Sequence, residues 1–351
     1  MGTDLDVTKD QHGDFIWTWK SNVRGKRFSL WIPYLKSISK LKGRNKWQIE
    51  YNGGELSVDL INVDFIMLYG AVGSLPVEFL DNVCANHIEI MIHRRNMAHP
   101  TVIYSSPLTD DQDVLTQQIL YRQNEIKRSY IARILIRERL TQFIYAVTFA
   151  DVGKDRLKKA RNILAIRSIE AEITAKYWKE WFASLNHPEM MRRGDNYIAK
   201  ALDACSYFMY GVLLRWILFH KLSPCHAFLH QPSAYPSLPY DLMEPYRYII
   251  ENAVSLAVKQ EDDPSRLNAL ALDILKDLLE EVVYVPATRQ YVRRKNLLHG
   301  IVLALRSYLL GETPKFIPPV EGEKKGGRPP QVKYKLPGEI PETKTNLSRW
   351  N

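Results

Sequence analysis

Cysteine is scarce: only Cys84, Cys205 and Cys225 occur in 351 residues, far apart and without a C-x-x-C pair. That excludes a disulfide scaffold and a thiolate zinc finger, and it fits a reducing cytoplasm. No secretory leader is expected either, since the sequence opens "MGTDLDVTKDQHGD", acidic and polar rather than cationic and then apolar. Long uncharged apolar runs are absent. The most apolar window, "YFMYGVLLRWILFH" at 207–220, is short for a bilayer and carries Arg215, so a buried helix is expected and no membrane. Acidic residues are the minority, 39 against 48 Lys and Arg, for a net charge of +9. A surplus of this size points to a polyanionic partner, although many soluble proteins carry it without touching nucleic acid.

What is present suffices for a globular protein of two domains, with 46% hydrophobic residues and 11% aromatics. Over residues 1–113 short β-branched and aromatic runs predominate: "DFIWTW", "RFSLWIP", "KWQIEY", "ELSVDL", "DFIMLYG", "IEIMIH" and "TVIY" read as strands, with "NGG" at 52–54 as a turn and "LPVEFLDNVCAN" as one helix. At "SPLTDDQD" the period changes. From Val114 apolar residues recur at three and four, with Asp110, Asp111 and Asp113 available to cap that helix, and helical patterning continues over 197–222, 241–259, 265–283 and 288–310. The expected class is therefore α+β: an N-terminal β-rich domain, an all-helical domain over 114–312, and a tail, 313–351. Seven of the nineteen prolines and eight basic against four acidic residues mark that tail as disordered and basic. Its "KKGGRPP" loosely matches a minor-groove-binding core, with a solvated tail as the alternative.

The chemistry concentrates in "AFLHQPSAYPSLPYDLMEPYR", residues 227–247. His230 follows an apolar helix and a Ser-Pro turn, and Asp241 and Glu244 lie three apart, on one face of a helix starting near Tyr240. An ordinary capped helix after a polar loop explains these residues, and so does a divalent-ion site, which needs hard oxygen ligands and tolerates one imidazole. A further acid must come from another segment. In "RSIEAEITAKYWKEWF" Glu170 falls beside the apolar stripe of Ile169, Ile173, Tyr177 and Phe182, while Glu172 faces outward with Lys176 four residues on. Glu170 as a plain surface acid stays open. His226 and His230 have the spacing of a zinc protease, but Ala227 stands where such a protease needs glutamate, so a peptidase is excluded and His226 is read as structural.

In order, these segments resemble the CRISPR-associated integrase that inserts new spacers into CRISPR arrays, the Cas one family. "IEAEITAKYW" matches its first signature with Glu170 at the glutamate, although Ala171 replaces the usual glycine; "YFMYGVLLRWILFHKLSPCHAFLH" matches the second through Tyr210, Leu222, Pro224 and His230; "PSLPYDLMEPYR" matches the third. The flanks are similar as well, over roughly residues 25–312. Arg139 stands where lysine is commoner, Asp203 where asparagine is often seen, and His226 where the family has a small residue.

The resemblance implies a metal-dependent endonuclease and integrase of CRISPR adaptation. Glu170, His230 and Glu244 would bind Mg2+ or Mn2+, and Asp241 would assist or orient a ligand. The implied reaction is attack of a DNA 3′-hydroxyl on a phosphodiester, with no covalent protein intermediate. Implied partners are double-stranded DNA, both prespacer and CRISPR repeat, a second copy in a homodimer formed through the N-terminal domain, and the small ferredoxin-like adaptation subunit, Cas two. Phosphate contacts are expected from Arg247, which belongs to the third signature, and from Arg192, Arg193, Arg293 and Arg294, with Lys158, Lys159, Arg161, Arg289 and Lys295 as further candidates; for all but Arg247 a solvated helix face is the alternative. Tyr210 matches a tyrosine near the family's DNA site, with a packed helix aromatic as the alternative. Two rival functions remain: a casposase, the transposon-borne integrase of this fold, and a non-catalytic DNA-binding scaffold. Casposases usually add a C-terminal DNA-binding domain, for which 39 proline-rich residues are too few.

Overall fold

The computed structural model describes residues 17–20, 27–41, 46–94, 100–103, 113–230, 236–261, 263–324, 327 and 332–341. They divide into two compact units, Met1–Thr109 and Asp110–Asn351. Unit one holds strands β1 (Trp17–Lys20), β2 (Phe28–Pro33), β3 (Leu35–Lys40), β4 (Trp47–Tyr51), β5 (Gly54–Val58) and β6 (Val63–Tyr69), helix α1 (Val77–Ala85), and strands β7 (Glu89–His93) and β8 (Thr101–Ile103). One sheet has the order β1-β2-β6-β7-β8; the other is the antiparallel β3-β4-β5. β6 and β7 are parallel neighbours, which requires a crossover, and α1 supplies it. Its Phe79 meets Trp47 edge to face at 5.1 Å, in a core with Leu30, Ile49 and Ile90.

Among the described residues the expected strands and α1 are present, with 14–16 of the first run and 104 of the last lying outside them, but β3 is an addition. Its sequence "LKSISK" buries only Leu35 and Ile38, three apart, because the pairing with β4 slips between Leu35 and Ser37. A bulge of that kind erases the alternation by which a strand is read.

Unit two comprises α2 (Val114–Gln123), α3 (Glu125–Thr141), α4 (Val147–Lys159), α5 (Ile163–Ser184), α6 (Tyr197–Phe219), α7 (Leu238–Met243), α8 (Arg247–Gln260), α9 (Leu267–Glu280), hairpin strands β9 (Val282–Val285) and β10 (Gln290–Arg293), and α10 (Lys295–Leu309). Side chains of Asp113, Asn124, Asn162 and Asn196 accept N-terminal amides of α2, α3, α5 and α6, which is why helical periods that look continuous break there. Asp110 and Asp111 lie outside the described residues. α6 is the central helix, packed against α7, α8, α9 and α10. At 23 residues it is long and apolar enough to cross a membrane by length and composition, longer than the 14-residue window suggested, but 78% of its apolar window is buried inside the unit.

Two expectations about this unit are corrected. It is not all-helical: "VVYVPATRQYVRR" turns at Pro286–Arg289 into a hairpin, so no helix starts at 288. β-branched and aromatic residues on both sides of that turn favour paired strands over helix. Nor is the tail wholly disordered, for 313–324 and 332–341 pack. Phe316, Tyr334 and Leu336 are buried, Tyr246 Oη donates to the Pro319 carbonyl at 2.7 Å, Tyr248 Oη to Glu321 at 2.8 Å, and Gln290 exchanges two bonds with Leu336. Proline-rich chain needs few amide partners, so side chains and isolated carbonyls suffice to fix it. On α10, Gly300 faces this strap: a β-carbon there would collide with Leu336 and Pro319. Most of "KKGGRPP" lies outside the described residues.

Candidate active site

α6 ends at Phe219, and Lys221 in the left-handed region turns the chain into the segment leading to His230. Polar side chains of α2 and α3 hold this segment by its backbone. Buried Gln118 donates to the carbonyls of Ser223 and His226 and accepts the Ser223 amide; Arg122 and Arg128 donate to the carbonyls of Ala227 and Phe228 at 3.0 and 2.8 Å. Asp241, fully buried on α7, completes the clamp. Its Oδ2 accepts the amides of Phe228 (2.6 Å) and Leu229 (2.8 Å), and its Oδ1 accepts the amide of His230 (3.0 Å) and lies 2.7 Å from His230 Nδ1. Burial alone would depress the His230 pKa; the Asp241 hydrogen bond and charge, joined by Glu244, outweigh it and raise the pKa. With Nδ1 tied to a carboxylate, Nε2 is the nitrogen left for a ligand, and it has no hydrogen-bond partner among the described residues.

Glu244 opens the short 3-10 turn between α7 and α8, where Pro245 follows it. It is almost fully buried. Oε1 accepts from Arg247 Nε (3.0 Å) and Nη2 (2.9 Å), and Oε2 accepts from Arg139 Nη1 at 2.5 Å. Burial would raise its pKa, but the two guanidiniums overcome that and bring it down to about 2. The same Arg139 Nη1 donates to Glu170 Oε1 at 2.8 Å. Glu170, from α5 and partly exposed, and Glu244, buried, therefore face one cation position. Glu172 keeps its expected place in solvent, 3.6 Å from Lys176 and 2.7 Å from Arg156.

Two carboxylates converging on one positive group, with an imidazole anchored through Nδ1, are a donor set that suits a hard divalent ion. As placed, no group of three His, Cys, Asp or Glu side chains among the described residues is arranged to hold a metal ion. Arg139 engages both glutamates in this arrangement.

His226 is tied to Ser223 Oγ at 2.7 Å, a local structural contact. Tyr210 is fully buried, its hydroxyl donating to the Pro236 carbonyl; as placed it steadies the approach to α7 and presents no surface to DNA. Arg294 is likewise committed inside the fold, to Leu278 O, Glu281 and Glu321. Arg247 spends its charge on Glu244. Arg192 pairs with Asp203 at 2.6 Å, and Arg293 pairs with Glu280 while remaining half exposed. Arg193 is exposed. Arg139, Gln118, Arg128 and Glu251 had no assigned role at the sequence level. Arg139, Gln118 and Glu251 stand at buried positions and Arg128 at a half-buried one, for example Arg139 four residues after buried Leu135. That is the signal by which they were findable.

The family model described as CRISPR associated protein Cas1 matches residues 40–266. The chain belongs to that family. Among solved structures, a casposase bound to integration product is similar at 18% identity and TM-score 0.69, over 82% of this chain and 92% of that one. A CAS1 protein from Thermotoga maritima is similar at 18% identity and TM-score 0.51, over 81% and 96%. A Cas6-RT-Cas1–Cas2 complex is similar at 11% identity and TM-score 0.67, over 82% of this chain and 35% of that one. No curated protein matches. Membership carries a Cas1-type integrase or nuclease role and the α+β Cas1 fold.

Proposed function

We propose that this Cas1 family member is a divalent-metal-dependent DNA strand transferase of CRISPR adaptation, joining a DNA 3′-hydroxyl to a phosphodiester at a CRISPR repeat. The observation that carries it is the convergence of Glu170 and Glu244 on one cation position, beside a histidine fixed by Asp241. The reaction forms a bond from the attacking 3′-oxygen to phosphorus and breaks the target strand's bond to its own 3′-oxygen, which leaves with the proton the nucleophile gives up. One phosphodiester replaces another, so no nucleotide cofactor is required.

Glu170, Glu244 and His230 would hold the ion, Mg2+ or Mn2+, which supplies Lewis-acid polarisation of the phosphoryl oxygen. Asp241 keeps the His230 ring in one orientation and one tautomer. Arg247 keeps Glu244 ionised and aimed. Arg193 and the exposed part of Arg293 are the cationic groups offered for backbone phosphates. Double-stranded DNA, a second copy of the chain and the small adaptation subunit are the proposed partners.

The test is a strand-transfer assay: a 3′-hydroxyl duplex and a supercoiled plasmid bearing a repeat, with and without Mg2+ or Mn2+ and the small subunit. Joined product that requires the ion and is lost in Glu170→Gln, His230→Gln and Glu244→Gln supports the proposal. Nicking without joining leaves a nuclease; unchanged joining in all three variants defeats the assignment of the site. Terminal inverted repeats around the gene instead of a CRISPR array would turn the same chemistry into that of a casposase.

A further inference from the structure

Arg139 is not among the residues that would hold the ion. A buried guanidinium that blocks the position between two metal-binding glutamates would defeat the site unless it has somewhere else to go. Beside it lies a second buried acid, Glu251, one turn along α8 from Arg247. Glu251 Oε2 accepts from Tyr177 Oη at 2.6 Å, while Oε1 is buried with no partner among the described residues, and Arg139 Nε is in the same condition. The groups form one cluster: the Arg139 guanidinium carbon lies 6.0 Å from the Phe143 ring centre, Phe143 stacks on Tyr177 at 4.0 Å, and Tyr177 holds Glu251. A buried donor and a buried acceptor, each one bond short, are thus close within one cluster of buried groups.

We propose that Arg139 is a resident counter-cation, holding Glu170 and Glu244 together in the metal-free chain and turning to Glu251 when a divalent ion takes those two carboxylates. This inference rests on the metal reading of the site. Its logic is electrostatic. Two carboxylates sharing a site repel and would spread or take up a proton without a positive group between them, so Arg139 keeps the pair assembled. Once displaced, a buried guanidinium cannot stay unpaired, and Glu251 offers the compensating charge. Arg139 is then a positioning residue that sets how much divalent ion is needed to load the site.

The experiment is a Mn2+ titration of the full chain by electron paramagnetic resonance, on wild type, Arg139→Gln, Glu251→Gln and the double variant. Arg139→Gln is expected to bind Mn2+ at least tenfold more tightly and to melt at lower temperature without metal. Glu251→Gln is expected to weaken binding about tenfold in the wild-type background and less than twofold in Arg139→Gln, since its effect passes through Arg139. An equal effect in both backgrounds makes Glu251 a distant charge only and overturns the handover. Should Arg139→Gln not fold, the Arg139 Nε–H resonance of the wild-type chain decides: it shifts on adding Mg2+ if the bond to Glu251 forms, and an unmoved resonance at saturating Mg2+ overturns the inference. If wild type binds Mn2+ no better than His230→Gln, the metal reading itself falls, and this inference with it.

Discussion

Replacing Asp241 by asparagine preserves shape and removes charge, at a carboxylate that receives three backbone amides and the His230 ring. Each oxygen serves two donors. An asparagine can present only one acceptor oxygen, so whichever way its amide turns, an NH2 group faces two donors. Hydrogen bonds to a charged group contribute about 1.5–3 kcal/mol each, and leaving buried donors unmatched adds to the loss, so Asp241→Asn is expected to cost about 3–5 kcal/mol. For a unit of this size that corresponds to a fall in melting temperature of roughly 6–20 °C. Thermal unfolding followed by circular dichroism measures it, and hydrogen exchange locates it, because the amides of Phe228, Leu229 and His230 should lose protection before those of α6. A fall of under about 2 °C with unchanged protection at those amides would refute the clamp.

Glu244→Gln leaves Arg139 and Arg247 short of a buried counter-charge and should destabilise the helical unit by about 3–5 kcal/mol in urea melts, with strand transfer lost. For acid stability, the folded pKa of Glu244, about 2, lies below the ordinary 4.5. Its contribution is therefore full above pH 4.5 and disappears between 4.5 and about 2, so the urea midpoint should fall across that window in wild type and less steeply in Glu244→Gln. Tyr246→Phe removes the bond to the Pro319 carbonyl and should cost about 1 kcal/mol. Gly300→Ala forces the strap off α10 and should open 313–341 to limited proteolysis, whereas a cleavage pattern identical to wild type would show that the strap does not depend on that contact.

The fold was legible where residue type or period ran undisturbed: β6 and β7 follow from their β-branched and aromatic runs, and α5 and α6 from their apolar spacing. It was illegible where pairing slips, as in β3, or where a residue composition typical of free chain is held by few contacts, as in the strap. In the site, Glu170, His230, Asp241 and Glu244 were all named from sequence through the resemblance to three family signatures, although the apolar stripe alone left Glu170 open as a surface acid. The partners that hold them were not. Arg139, Arg128 and Gln118 act on groups about a hundred residues away, through backbone carbonyls and shared oxygens that no local pattern encodes.

The strap also bears on how the protein is made. Tyr246 and Tyr248 stand on either side of Arg247, yet each takes its hydroxyl partner from 73 residues further along the chain. A ribosome delivers residues in order, so the signature carrying Glu244 leaves the exit tunnel with those partners still untranslated. Full packing of the helix start beside Glu244 is thereby delayed until late in synthesis, after Pro319 and Glu321 have emerged.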